Sequence, residues 1–395
     1  MFDYLCPGAR MGLRTAVALE SAALLQSVHV DVCMLPGPAA RLLRRVAGPR
    51  VENRVVRSIP AARVRRHPQL MAAARIRRRL ALAGRDTAPM DRMLVRIYSS
   101  IARQCAAEAV IGIQTGCLEL FEGRTLKIME QVSPPIRYER AVAAEELARF
   151  PGWAHPSLTT VSPRDRRMEK EWEAADLIWV PSRHLIDISR EFGADPSKFR
   201  VTPYPIAGWS QPRAARPIGT ARGLRVVFAG TLMLEKGVQY IYEALRKRPG
   251  LPIEMHFFGP SNLTALGLRR LAEVGTVHGH VPRSRLHDEF RRADVLLFPS
   301  LSEGSALVTL EATALGLPVV ATGEAGAPAS AMLISTRSPD AIISAIESLA
   351  ADPGRLESLS AAGLAESGRR DFASYTSSVL RALGHRDRAL RRAPC

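Results

Sequence analysis

Along this 395-residue chain, short apolar runs rich in β-branched residues alternate with stretches whose apolar residues return every three or four positions. The first pattern predicts buried strands, the second amphipathic helices. In the first half the pattern predicts strand 2–6, helix 13–27 and strands 29–35 and 52–58. A basic stretch at 61–79, helical or loose, leads to helix 91–107, strands 109–114 and 126–131, and helices 137–150 and 164–174. Segments 176–181, 182–192 and 199–203 close that half. Residues 206–223, rich in Pro, Gly and Ala, read as a linker. The second half predicts strand 224–229, helix 238–245, strand 253–258, helix 264–273, strand 277–279 and helix 283–292. Then come a strand ending at Pro299, a helix from Leu307 to Leu315, strand 318–322, and helices 340–350, 354–365 and 372–383. Strands and helices alternating at this spacing predict an α/β fold of two doubly wound, Rossmann-like parallel-sheet domains. The expected division is 1–205, linker 206–223, 224–370, and a terminal helix with a basic tail at 371–395.

The sharpest chemistry lies between the strand ending at Pro299 and the one starting at Pro318. Glu303 is on a Ser/Glu/Gly loop just before Gly304, a residue that lets a ligand approach the backbone. Glu311 falls in the first turns of the following helix. Free N–H groups around Gly304, Ser305, Ala306 and Leu307 would face an anion at that helix start. Two carboxylates beside an anion site suit hydrogen bonds from sugar hydroxyls on either side of a diphosphate. The plain alternative is a solvated loop acid and a helix-start acid favoured by the macrodipole. Lys236, at the start of helix 238–245 and after Gly230 and Thr231, places an ammonium beside backbone donors, a grip for a diphosphate. His278 and His280 alternate on a strand edge with no third ligand nearby, which favours a structural role over metal.

Composition narrows the classes. The hydrophobic fraction of 47% is that of a globular protein, and no apolar run reaches membrane-spanning length. The stretch 13–35 is interrupted by Arg14, Glu20, His29 and Asp31, so the expected location is cytoplasmic. Five cysteines without close metal-type spacing read as reduced thiols. The net charge of +17 is almost all arginine: Lys127, Lys170, Lys198, Lys236 and Lys247 are the only lysines. Arginines crowd the region 41–103, among them Arg63, Arg65, Arg66, Arg75, Arg77, Arg78 and Arg79. This suits an anionic membrane surface met peripherally, or a lipid-linked diphosphate acceptor. Aromatics at 6% do not interleave with the arginines, so no specific nucleic-acid partner is expected. An ordinary solvated face remains the plain reading.

The order Glu303 to Glu311, followed by Ala-x-Ala-x-Gly-x-Pro-Val-Val-Ala-Thr, resembles the donor-site signature of the retaining family 4 glycosyltransferases (glycosyl transferases group 1) of the GT-B fold. The segment Ala-Asp-Leu-Ile-Trp-Val-Pro-Ser at 175–182 resembles that family's acceptor domain. The resemblance implies two domains facing across a cleft, with a nucleotide-sugar donor on the second. It implies a glycan, lipid-linked or small-molecule acceptor on the first, and no metal or other cofactor. Lys236 would neutralise the diphosphate, Glu311 hold ribose hydroxyls, and Glu303 contact the transferred sugar. Gly230, Thr231 and residues 304–307 would complete the donor site. Gly12 matches the family's glycine-rich loop on the acceptor side.

The chain departs from the family in four places, one of them Pro205, where the family has a glycine after a proline-aromatic pair. The paired glycines near Gly12 are reduced to one, and the short first strand leaves the completeness of the N-terminus open. The expected histidine after strand 109–114 or 126–131 is replaced by Gln114 and Gln131, candidates for the acceptor side whose default reading is a core or loop amide. An expected arginine is Thr231. Four readings therefore stay open: a retaining glycosyltransferase, a weak or inactive scaffold of the same fold, a basic nucleic-acid binder, and a nucleotide-sugar epimerase.

Overall fold

The computed structural model describes residues 1–7, 13–33, 58–155, 166–206 and 223–390. Seven strands form the first sheet: β1 (Phe2–Cys6), β2 (Leu25–Val30), β3 (Val64–Arg66), β4 (Ala109–Ile113), β5 (Leu126–Glu130), β6 (Leu177–Val180) and β7 (Phe199–Val201). All pair in parallel, in the order β3-β2-β1-β4-β5-β6-β7. Six strands form the second: β8 (Leu224–Ala229), β9 (Ile253–Phe258), β10 (Thr276–Gly279), β11 (Val295–Phe298), β12 (Val319–Thr322) and β13 (Met332–Ile334). They too are parallel, in the order β10-β9-β8-β11-β12-β13. In each sheet the strand order reverses beside the first strand. That switch opens a crevice at the carboxyl ends, where ligands of open α/β sheets bind. Strands β11 and β12 are buried along their whole length, which is why they read as continuous apolar runs.

The helices are α1 (Arg14–Ser21), α2 (Pro68–Leu82), α3 (Ala88–Ala102), α4 (Ile136–Arg149), α5 (Arg167–Ala174), α6 (His184–Glu191), α7 (Val238–Lys247), α8 (Ala265–Val274), α9 (Arg283–Arg292), α10 (Leu307–Ala314), α11 (Pro339–Ala351), α12 (Pro353–Arg369) and α13 (Phe372–Leu390). Thr264, Ser338 and Asp352 cap α8, α11 and α12 by accepting a hydrogen bond from a first-turn N–H.

The helix expected at 91–107 runs from Ala88 to Ala102, and strand β13 is not among the expected elements; two further differences have a clear cause. Helix α1 stops at Ser21, because Ala23 turns the chain with a φ of 57°. The next strand therefore starts at Leu25, in register with Phe2, rather than at 29. The basic stretch 61–79 yields strand β3 and then α2, whose proline sits at the helix start, where its missing N–H costs nothing. Of the strand expected at 52–58, residues 52–57 lie outside the described residues, as do 207–222 of the expected linker.

The two halves interlock. Helix α4 lies in the chain between β5 and β6, yet Val142 and the following Trp153 are buried in the core around the second sheet. Tyr138, Leu147 and Phe150 pack on that same core. Glu146 of α4, fully buried, accepts from Gln239 and Tyr240 at 2.8 and 2.7 Å and pairs with Arg337 at 2.6 Å. Conversely, Leu310 and Ala314 of α10 belong to the core around β1, β2 and α1. Helix α13 packs on α1 through Tyr375, Val379 and Ala382. The apolar stripe of α10 thus faces across the division between the sheets, while Ala312 and Leu315 face its own sheet.

Candidate functional site

Strands β8 and β11 are hydrogen-bonded neighbours, so the loops at their carboxyl ends meet. The loop after β8 runs through Gly230 and Thr231 to a short turn, Leu234–Lys236, and then Gly237. Gly237 has a φ of 74°, and a Cβ there would stand 2.0 Å from the carbonyl oxygen of Pro299. Only glycine permits that approach. It brings Lys236 onto the loop after β11: Nζ lies 2.7 Å from Glu303 Oε1 and donates to the Ser302 carbonyl at 2.8 Å. Two residues that the sequence singled out separately form one ion pair.

A cavity of about 630 Å³ opens at the carboxyl ends of β8 and β9 and the start of α10. Its wall includes Gly230, Thr231, Gly259, His280, Arg283, Leu307 and Glu311. Glu311 is buried in that wall, with Arg283 Nη2 at 2.5 Å from Oε1 and His287 Nε2 at 3.0 Å from Oε2. Burial pushes its carboxyl up, but these two hydrogen bonds and the Arg283 charge outweigh that. The group stays below the ordinary glutamate range, an anion at neutral pH.

The loop between the two glutamates corrects one expectation. The Ala306 N–H is bonded to the Ala325 carbonyl at 2.9 Å, so it is not open to a ligand. Ser305 Oγ likewise donates to Gly326 O at 3.1 Å. Gly304 also touches the first half of the chain: a Cβ there would lie 2.0 Å from the carbonyl oxygen of Val132, after β5. Ser182 Oγ donates to the Gly304 carbonyl, and His184 Nε2 lies 2.6 Å from the Glu303 carbonyl. Because a carbonyl only accepts, Nε2 carries the proton. Burial lowers the pKa of His184 despite that bond.

On the first sheet, the amides of Gln114 and Gln131 bond to neighbouring loop and core groups. Gln114 Oε1 accepts from the N–H groups of Val132 and Ser133 at 2.7 and 3.0 Å, and Nε2 donates to Ser133 Oγ at 2.6 Å. Gln131, wholly buried, is bonded to Trp172 and Ser189, both at 2.9 Å. Together they fix the loop that touches Gly304. Gly12 lies outside the described residues.

Several polar residues here were not singled out from the sequence. His184, Arg283 and His287 sit at or near helix starts with no local motif. Glu130, at the end of β5, accepts from Tyr4 at 2.5 Å and Thr15 at 3.0 Å, and burial raises its pKa. Only the fold brings these groups to the carboxyl edges.

The family model described as Glycosyl transferases group 1 matches residues 223–352. A D-inositol 3-phosphate glycosyltransferase of Segniliparus rotundus is 30% identical over 224 residues, 51% of this chain and 49% of that protein. The chain spans about half the length of the curated relatives it matches. Among solved structures, HepE of Anabaena in complex with UDP and glucose superposes with a TM-score of 0.60 at 13% identity, covering 97% of this chain and 99% of that one. Sucrose-phosphate synthase of Thermosynechococcus elongatus gives 0.61 at 15%, covering 100% and 99%. At these identities the likeness is one of fold: two Rossmann-like domains of the GT-B type.

Proposed function

We propose that the protein is a glycosyltransferase, a reading supported by the match of residues 223–352 to the model of glycosyl transferases group 1. It moves a sugar from a nucleotide-sugar, held in the cavity beside Glu311, to an acceptor on the side of the first sheet. The observation that carries this reading is the convergence of three groups at the carboxyl edge of one parallel sheet. The Lys236–Glu303 pair stands at one end, and the Glu311 carboxylate lines the cavity at the other. In this reading Glu311 accepts from ribose hydroxyls, and Lys236 meets the charge growing on the leaving phosphate, in place of a metal. Glu303, held by Lys236, supports the positive charge at the anomeric carbon. The acceptor oxygen forms the new bond on the face that the phosphate leaves, and a phosphate oxygen takes its proton, so configuration is retained. The HepE structure holds UDP and glucose and the Segniliparus relative is named for an inositol phosphate; both suit a nucleotide-sugar donor and a polar, hydroxyl-bearing acceptor.

The first domain's surface supports a place at an anionic membrane. Arg75, Arg78 and Arg79 of α2 are exposed, and so are Ile76, Met93 and Val95 on α2 and α3. Among the described residues no helix is long and apolar enough to cross a membrane, so contact would be peripheral.

The test is thermal stabilisation by UDP, GDP and ADP, singly and with their sugars, on wild type and Glu311→Ala. A ligand at a hundred times its Kd adds about 2.7 kcal/mol. One base stabilising wild type and not the variant supports the donor site. No shift with any of them sinks it.

A further inference from the structure

Glu311 on the cavity wall is already bonded by two side chains of α9. Arg283 and His287, one turn apart on α9, hold the two oxygens of Glu311 from the same side. They differ in setting. His287 is buried and its ring stacks on Phe290, whereas the Arg283 side chain is about a third exposed at the cavity wall. Arg283 is also the first residue of α9. A cation there stands against the positive end of the macrodipole, an unfavourable place unless an anion accompanies it.

Lys236 is not on the cavity wall, and its charge is matched by Glu303. Arg283 is on that wall and is paired with Glu311.

Resting on the glycosyltransferase reading, we propose that Arg283 is an exchangeable cation of the donor site. With the cavity empty it covers Glu311. When a nucleotide-sugar enters, the guanidinium passes to the diphosphate, and the uncovered Glu311 oxygen accepts the ribose hydroxyls. His287 stays and keeps the carboxylate oriented. Arginine suits the task because its fork of donors fits phosphate as well as carboxylate. The residue is a specificity determinant for the diphosphate, distinct from Lys236 at the leaving end.

The exchange predicts opposite effects on two ligands that differ only in phosphate. Calorimetric titration with UDP, GDP and ADP and with uridine, guanosine and adenosine would be run on wild type, Arg283→Gln and Arg283→Lys. Wild type should bind one diphosphate more tightly than its nucleoside. In Arg283→Gln the diphosphate affinity should fall about tenfold or more, while the nucleoside binds as well or better because Glu311 is uncovered. Arg283→Lys should recover part of the diphosphate preference, which also shows that the substitution leaves the site folded. Equal loss on nucleoside and diphosphate in Arg283→Gln would make Arg283 a mere support of Glu311 and overturn the exchange. An unchanged ratio overturns it too, leaving the donor site standing. Wild type that binds none of the diphosphates removes the glycosyltransferase reading and the exchange together.

Discussion

Replacing Gly304 by alanine isolates the contact that closes the cleft. The added Cβ would stand 2.0 Å from Val132 O and 2.7 Å from Val132 C. Those are backbone atoms that no rotamer change can move, so the two loops must part by about 1 Å or more to restore ordinary contact. Overpacking of this kind costs about 1–3 kcal/mol. Parting the loops also breaks the bonds of Ser182 to Gly304 O and of His184 to Glu303 O, at roughly 1 kcal/mol each. The expected destabilisation is about 3 kcal/mol, capped by the work of separating the loops altogether. The assay is urea unfolding of Gly304→Ala, His184→Ala and the double variant, with turnover followed in parallel. If the contact is as described, the substitutions are strongly non-additive: once Gly304→Ala has parted the loops, His184→Ala costs little more. Turnover should drop, since Glu303 is the neighbouring residue. Additive effects, or a Gly304→Ala protein with unchanged stability and turnover, would refute the reasoning.

Glu303→Ala should lower turnover far more than nucleotide affinity, read from kcat against Kd, because Glu303 is placed to act on the reacting carbon. His29 is buried against His67 at 3.0 Å, and burial, reinforced by the His67 charge, holds its pKa down to about 4. The unfolded chain binds that proton near pH 6.5, so stability is lost as pH falls from 6.5 toward 4. The loss reaches roughly 3 kcal/mol, and His29→Gln should flatten the pH dependence of the urea midpoint in that window. Glu146→Ala strips a buried carboxylate from Gln239, Tyr240 and Arg337 and should cost about 3–5 kcal/mol, measured by the same unfolding. Gln131→Ala should cost about 1–3 kcal/mol through the unpaired Trp172 and Ser189 groups while leaving nucleotide binding intact. Arg75, Arg78 and Arg79 changed together to Gln should weaken sedimentation with anionic vesicles and leave neutral vesicles unaffected.

Periodicity located the strands that pack on both faces, because nothing polar interrupts 295–298 and only Arg225 interrupts 224–229. It also placed helix 283–292 at its observed ends. It failed where a turn depended on one backbone angle, as at Ala23, and where a strand was only three residues long, as at Val64–Arg66. The glutamate pair and Lys236 were legible because their spacing along the chain is short or ordered. The partners that set their chemistry were not. His287 meets Glu311 across 24 positions and His184 meets Glu303 across 119, separations that no local pattern encodes. Gln114 and Gln131 stayed open between two readings for the same reason: an amide at a strand end looks alike whether it faces substrate or bonds the next loop.

The crossing of α4 and α10 between the two cores has a consequence for how the protein is made. A ribosome delivers the chain from the N-terminus. Helix α4 is therefore synthesised well before Leu224, where the sheet that covers Val142 and Trp153 begins. The first sheet waits longer still, since Tyr375, Val379 and Ala382, which cover α1, come near the end of the chain. Neither half can finish its interior while the chain is growing. A nascent fragment ending in the linker would carry a bare apolar helix face and the Glu146 carboxylate without Gln239, Tyr240 and Arg337. Newly made chains would thus rely on completion, or on a chaperone's cover until then, to escape aggregation.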